Sequence, residues 1–130
     1  MMDRDPMAMA PDAMRQIRQG AFLTVQSGER LNTMTIGWAL IGILWQRPVL
    51  MVAVRDSRHT FQLIENAGDF TVTLPLEDMK RQLSVCGTQS GAKIDKFKEC
   101  NLRVAKSRTV QSPIIQIQGI HYECRIVYKS

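Results

Sequence analysis

From Gly20 onward, short apolar runs alternate with turn-forming residues, the pattern of strands. Phe22–Gln26 runs into Ser27-Gly28, a hairpin turn, and Leu31–Ile36 follows at once. Val49–Val54 is a continuous apolar run after Pro48, which predicts a strand buried on both faces. Phe70, Val72 and Leu74 alternate with Thr71 and Thr73, and Pro75 stops that strand. Ile114–Ile117 and Ile120–Tyr128 predict a final pair. In the second, Ile120, Tyr122, Cys124, Ile126 and Tyr128 share one face, and His121, Glu123, Arg125 and Val127 share the other.

Two helices interrupt the strands. Ser57 is a good N-cap for the first, Phe61 and Ile64 lie three apart, and Gly68 is a stop signal. The second is predicted from Glu77 to Val85, with Glu77 and Asp78 suiting its positive end. Met79, Leu83 and Cys86 make its apolar stripe, and Gly87 ends it. The Met- and Ala-rich start, Met1 to Ala13 with Pro6 and Pro11, reads as an arm or short helix outside the core. This sets 1–19 apart from one domain over 20–130. The whole predicts a mainly β fold, a small barrel plugged by short helices.

At 130 residues the chain suits a single domain, and 45% hydrophobic with 22% charged residues excludes wholesale disorder. The longest apolar run, Ile36 to Trp45, is far shorter than the ~20 residues of a membrane span. No secretory leader opens the chain, so the expected location is cytoplasmic, with no membrane partner. Seventeen Lys and Arg against twelve Asp and Glu give +5 and point to an anionic partner: nucleic acid, a membrane surface or a phosphorylated small molecule. Cys86, Cys100 and Cys124 are odd in number and widely spaced, which argues for reduced thiols and against a disulfide scaffold.

Three segments carry candidate chemistry. In Val54–Thr60 a strand leads into a helix whose first N–H groups lack internal partners; Ser57 and Thr60 add hydroxyls, and Arg55 and Arg58 add forks that match phosphate oxygens. The plain alternative is a capped helix with solvated arginines. In Leu31–Trp38, Asn32, Thr33 and Thr35 suit a strand edge facing a flat heterocycle, with Trp38 bordering it; the alternative is threonines facing water. Cys86–Phe97 is a glycine-bearing, hydroxyl-rich loop with Lys93 and Lys96, suited to an anion or electron-rich ring, or to a plain surface role. His59 and His121 lack the context of a nucleophilic triad, no cluster has metal-ligand spacing, and GxGxxG and Walker loops are absent. No catalytic side chain and no metal are expected.

In this order, Asn32-Thr33-Met34-Thr35-Ile36-Gly37-Trp38, Val52 to Thr60, Asp69 to Pro75, and Cys86-Gly87-Thr88-Gln89-Ser90-Gly91 through Asp95-Lys96-Phe97 resemble the flavin reductase and flavoredoxin-like family. Its fold is the FMN-binding split barrel of Greek-key type. The resemblance, spanning Gly20 to Cys124, implies a homodimer with FMN near the interface. It implies that Asn32, Thr33, Met34, Thr35 and Trp38 line the isoalloxazine, that Arg55, Ser57, Arg58 and Thr60 hold the ribityl phosphate, and that Ser90, Gly91 and Lys96 close the site. NAD(P)H would deliver hydride to the flavin, or the protein would carry electrons, with a partner oxygenase or other acceptor downstream. Family members usually continue past Tyr128-Lys129-Ser130 into further barrel strands, a histidine near the flavin and more of the dimer interface. The expectation is therefore a barrel short of its C-terminal strands, with an exposed sheet edge. Two alternatives stand beside it: a basic barrel binding single-stranded nucleic acid, disfavoured by 6% aromatic content, and a split-barrel relative without turnover.

Overall fold

The computed structural model describes residues 5–130. In chain order the elements are α1 (Ala10–Gln16), β1 (Ala21–Ser27), β2 (Arg30–Ile36), β3 (Ala39–Leu44), β4 (Arg47–Val52), α2 (His59–Glu65) and β5 (Asp69–Pro75). Then come α3 (Lys80–Thr88), α4 (Lys96–Glu99), β6 (Val104–Ala105), β7 (Ile114–Ile115) and β8 (Gly119–Arg125). An antiparallel four-stranded sheet runs β2-β1-β5-β8, and β3–β4 and β6–β7 form separate two-stranded ladders. The fold is mainly β, and the sheet does not close.

The β1–β2 hairpin pairs Ser27 with Arg30 across Gly28-Glu29. Gly28 has φ of 60°, a left-handed conformation that glycine adopts without a Cβ penalty. On one face of the sheet, Leu23, Val25, Met34, Ile36, Val72, Leu74 and Ile120 pack with Leu63 of α2 and with Ala13 and Ile17. On the other, Phe22 joins Met79, Leu83, Cys86, Cys100, Leu102 and Ile115. That second face also holds a threonine layer satisfied from within. Thr24 and Thr33 hydroxyls lie 3.1 Å apart, Thr71 donates to the Pro113 carbonyl at 2.6 Å, and Thr73 meets His121 Nδ1 at 3.0 Å.

The observed elements differ from expectation in instructive ways. The run Val49–Val54 is not a strand buried on both faces: β4 starts at Arg47, pairs with β3, and leaves Met51 59% exposed. Its partner β3 lies inside the apolar run from Ile36 to Trp45. Ile114–Ile117 and Ile120–Tyr128 do not pair with each other; β7 pairs with β6 and β8 with β5. The N-terminal segment contributes to the core, because Ala13 is fully buried and Met9 and Met14 pack against the main cluster. Ser57 does not cap α2: the helix starts at His59, with Arg58 at the N-cap position and no side-chain cap. α3 starts at Lys80, after Asp78 accepts the Lys80 N–H and Glu77 accepts that of Gln118, while the Met79–Leu83–Cys86 stripe is buried as the periodicity predicts. Between β8 and the β3–β4 hairpin runs a groove of about 240 Å³, lined by Ile41, Leu50, Tyr122 and Cys124 among others. Among the described residues no helix is long and apolar enough to cross a membrane, and no group of three His, Cys, Asp or Glu could hold a metal ion.

Candidate functional site

The three segments singled out above meet along β2. Asn32 Nδ2 donates to Thr60 Oγ1 at 2.8 Å, joining the strand to the start of α2. The loop after α3 crosses the same place: a Cβ on Gly91 would come within 2.6 Å of Asn32 Cγ, so only glycine passes there without displacing the carboxamide. Arg58 donates to the carbonyls of Gly87 at 2.7 Å and Cys86 at 3.1 Å. These lie in the last turn of α3, where helical carbonyls lack partners and a cation suits the negative dipole end. Lys96 Nζ donates to the carbonyls of Thr33 at 2.8 Å and Cys86 at 3.0 Å. Asp95 caps α4 through the N–H groups of Phe97 and Lys98, which fixes where Lys96 emerges.

The structure sorts the expected site residues by orientation. Trp38 is 64% exposed, and the Arg55 guanidinium lies 5.5 Å from its ring centroid in a cation–π contact. Ser57 is exposed, and half-buried Ser90 accepts the Ala92 N–H while its carbonyl receives those of Lys93 and Ile94, forming a tight turn. Others turn inward. Met34 lies in the main core because strand alternation places it beside Ile36. Thr33 is buried against Thr24, Thr35 donates to the Leu83 carbonyl at 2.6 Å, and Thr60 is fully buried against Asn32. Lys96 is buried too, and Arg58 spends two of its five N–H groups on the α3 carbonyls. The hydroxyls of β2 therefore face the interior. What β2 offers outward is its backbone edge, since it has a strand neighbour only on the β1 side.

The locality is electropositive. Burial lowers the His59 pKa first, and the charges of Arg30 and Lys96 lower it further, so the ring stays neutral at physiological pH. Arg30 carried no motif signal; its only mark is its position at the mouth of the hairpin. Burial also pushes Lys96 down to about 8, opposed by the nearby thiols and assisted by Arg58. The Cys86 thiol is pushed up to about 12 by burial and by Cys100, which makes it packing and not a nucleophile. His121, half-buried between Thr73 and the Ile117 carbonyl, lies on β8, beyond β1 and β5 from this edge.

Comparison with known proteins adds a family. Residues 14–129 match the flavin reductase like domain. An uncharacterized protein of Archaeoglobus fulgidus is 33% identical over 106 residues, covering 82% of this chain and 59% of that protein. One from Pyrococcus abyssi is 28% identical over 100 residues, covering 76% and 56%. The chain thus spans less than two thirds of the length of these curated relatives. Among solved structures, flavoredoxin of Desulfovibrio vulgaris superposes with a TM-score of 0.78 at 24% identity, over 85% of this chain and 61% of that one. Flavoredoxin from Methanosarcina acetivorans superposes at 0.72 with 28% identity, over 84% and 57%. With nearly its whole length matched, this chain belongs to the flavin reductase like domain family.

Proposed function

We propose that the chain forms an FMN site and acts as an NAD(P)H-dependent flavin reductase or flavin-mediated electron carrier. One observation carries this reading: residues distant in sequence, Asn32, Arg58–Thr60 and Cys86–Gly91, are tied together at the open edge of β2. The donor chemistry present there fits FMN. Arg55 and Ser57 are exposed and suit the phosphate, with Arg58 and Thr60 setting the turn that presents them. Trp38 offers an aromatic face to the isoalloxazine, and the outer edge of β2, which has no strand partner and whose Thr33 carbonyl is held by Lys96, borders its pyrimidine ring. Ser90 and Gly91 bring the α3 loop across as a third wall. When bound, FMN would supply the hydride and electron-transfer chemistry. The protein's part is to bind and orient the flavin.

Nitrilotriacetate monooxygenase component B of Bacillus cereus and its counterpart from Mycobacterium thermoresistibile share the fold at 17% identity, with TM-scores of 0.71 and 0.68. They motivate the proposal that a partner oxygenase takes up the reduced flavin. A homodimer is proposed from the exposed apolar face around Trp38, Leu40 and Met51, since contiguous apolar surface commonly marks an interface. Titrating purified protein with FMN and with riboflavin tests the site. Arg55→Ala should weaken FMN by about tenfold or more, the scale of one charge-assisted hydrogen bond, and riboflavin far less. Equal losses would remove the phosphate assignment, and no binding of either ligand would remove the flavin site. Anaerobic bleaching by NADH or NADPH then separates a reductase from a carrier.

A further inference from the structure

Two of the three cysteines lie side by side in the core. Cys86 sits in the last turn of α3 and Cys100 directly follows α4, and both belong to the cluster around Phe22 and Ile115, at 0% and 2% exposure. Both thiols are free, and they are hydrogen-bonded to each other. Cys124 is elsewhere, packed against the main cluster on the opposite face of the sheet. Packing alone does not call for thiols at two touching positions, since small apolar side chains fill such space and do not oxidise. The two thiols bracket one segment. Residues 86–100, fifteen in all, leave α3, pass Asn32 at Gly91 and return through the single turn of α4. Between the two cysteines only Lys96 is buried. A segment that buries so little opens locally far more readily than the sheet it covers.

We propose that Cys86 and Cys100 are a reversible dithiol–disulfide site, whose disulfide fastens the segment 87–99 to the end of α3. The proposal goes beyond the flavin reading and stands on the two thiols alone. In the closed fold the Cys86 thiol is kept protonated by burial and by Cys100, against the charges of Lys96 and Arg58. When the segment opens, burial and Cys100 are withdrawn. Arg58 stays, because it is bonded to the carbonyls of Cys86 and Gly87, and a neighbouring cation favours the attacking thiolate. The oxidant is a small-molecule disulfide, with oxidised glutathione as the probe. The Cys86 sulfur loses its proton and bonds to one glutathione sulfur, while the other leaves as a thiolate and takes a proton. The Cys100 sulfur then loses its proton and bonds to the Cys86 sulfur, displacing the second glutathione, which is protonated in turn. The protein gives up two electrons and two protons, and one glutathione disulfide becomes two thiols. The new bond closes the loop that carries Ser90 and Gly91, which restricts the unfolded chain and steadies that loop in the fold.

The test uses the full chain, reduced, freed of reductant, incubated with oxidised glutathione and quenched with iodoacetamide. Mass spectrometry should show a loss of two hydrogens, a Cys86–Cys100 cross-linked peptide and an alkylated Cys124. The melting temperature should rise by about 10 °C, the scale for closing a loop of this length in a domain of this size, and dithiothreitol should reverse both changes. Low urea, below the unfolding transition, should speed the reaction by promoting local opening. Cys124→Ser should react like wild type, and Cys100→Ala should show no rise in melting temperature. Three thiols that survive oxidised glutathione even in low urea would overturn the proposal. So would a reaction that stops at a glutathione adduct, a cross-link that uses Cys124, or a Cys86–Cys100 bond that lowers the melting temperature. If Cys100→Ala fails to fold, the wild-type peptide map still decides.

Discussion

The hairpins β1–β2 and β3–β4 are nearly equal in length and comparably apolar, yet they meet solvent in opposite ways. Every residue from Ala21 to Val25 is buried, because β1 lies between β2 and β5 and has a helix against each face. In β3–β4 only the inner row, with Ile41, Leu50 and Val52, packs against the core; Leu40 is 65% exposed, and Ile43 and Met51 are exposed as well. The turns differ in the same sense. Gly28 takes a left-handed conformation freely, whereas Trp45 and Gln46 carry φ of 52° and 62°. Apolar content thus marks what should be covered, and only the fold shows which surfaces the chain covers with its own elements.

The largest effect should come from truncating the same side chain in each hairpin. Leu23→Ala should cost about 2–5 kcal/mol in urea denaturation, since it opens a cavity between packed layers. Leu40→Ala should stay within about 0.5 kcal/mol in the isolated protomer. Similar costs for both, independent of protein concentration, would mean the outer hairpin face is not free. A cost for Leu40→Ala that grows with protein concentration would identify that face as the dimer interface.

Next in size is Gly91→Ala, where the new methyl meets a carboxamide already held by Thr60. Overpacking of this kind costs about 1–3 kcal/mol. The effect should localise to the site: amide exchange should accelerate around Asn32 and in the loop after α3, while β3–β4 is unchanged. Uniform acceleration across both hairpins would show that the loop is part of the global core.

Much of this was legible in the sequence where a turn residue, or a difference in residue type between the two faces of an element, marks it. The β1–β2 turn, the Phe70–Val72–Leu74 alternation ended by Pro75, the α3 stripe and the alternation in β8 all have that property. β3 was not legible because Leu40, Ile41, Ile43 and Leu44 are apolar on both sides, so period 2 vanishes. The partners of β7 and β8 were not legible because proximity in sequence favours pairing them with each other, while β8 pairs with β5 across the 43 residues between Pro75 and Gly119. At the site, the three segments were identifiable by residue type. Their orientations were not: whether Thr33, Thr35 and Met34 face a ligand or the interior depends on which face of β2 the helices cover, and the carbonyl shared by Arg58 and Lys96 exists only where α3 happens to end.

A smaller effect should follow from correcting the β3–β4 turn. Replacing Trp45-Gln46 with Asn-Gly supplies residues that tolerate positive φ at both positions of a two-residue loop. Left-handed conformations cost ordinary residues about 1 kcal/mol each, so the double variant should gain roughly 1 kcal/mol in the denaturation midpoint. The same change at Gly28-Glu29 should gain nothing, since Gly28 already relieves that turn. A loss at the β3–β4 turn would show that Trp45 makes a contact worth more than the strain it carries.

The smallest expected effect is a pH dependence that β8 carries in part. The residues from Ala39 to Val52 include one ionisable side chain, Arg47, whereas β8 carries His121, whose pKa is lowered by burial against opposing help from the Ile117 carbonyl and Glu123. The neutral ring donates from Nε2 to Ile117 and accepts the Thr73 hydroxyl at Nδ1. Because its folded pKa is lowered, the unfolded chain takes up the proton first as pH falls through 6.5. Stability is therefore full above that pH and declines below it. Urea midpoints should drop modestly from pH 7.5 to 5.5, and His121→Gln should flatten part of that drop, His59 supplying the remainder through its own lowered pKa. Amide exchange in β5 and β8 should follow the titration, while opening of β3–β4, after correction for the intrinsic pH dependence of exchange, should not. If both regions respond together, the hairpin and the sheet open as one cooperative unit, and the contrast between them is confined to what they expose.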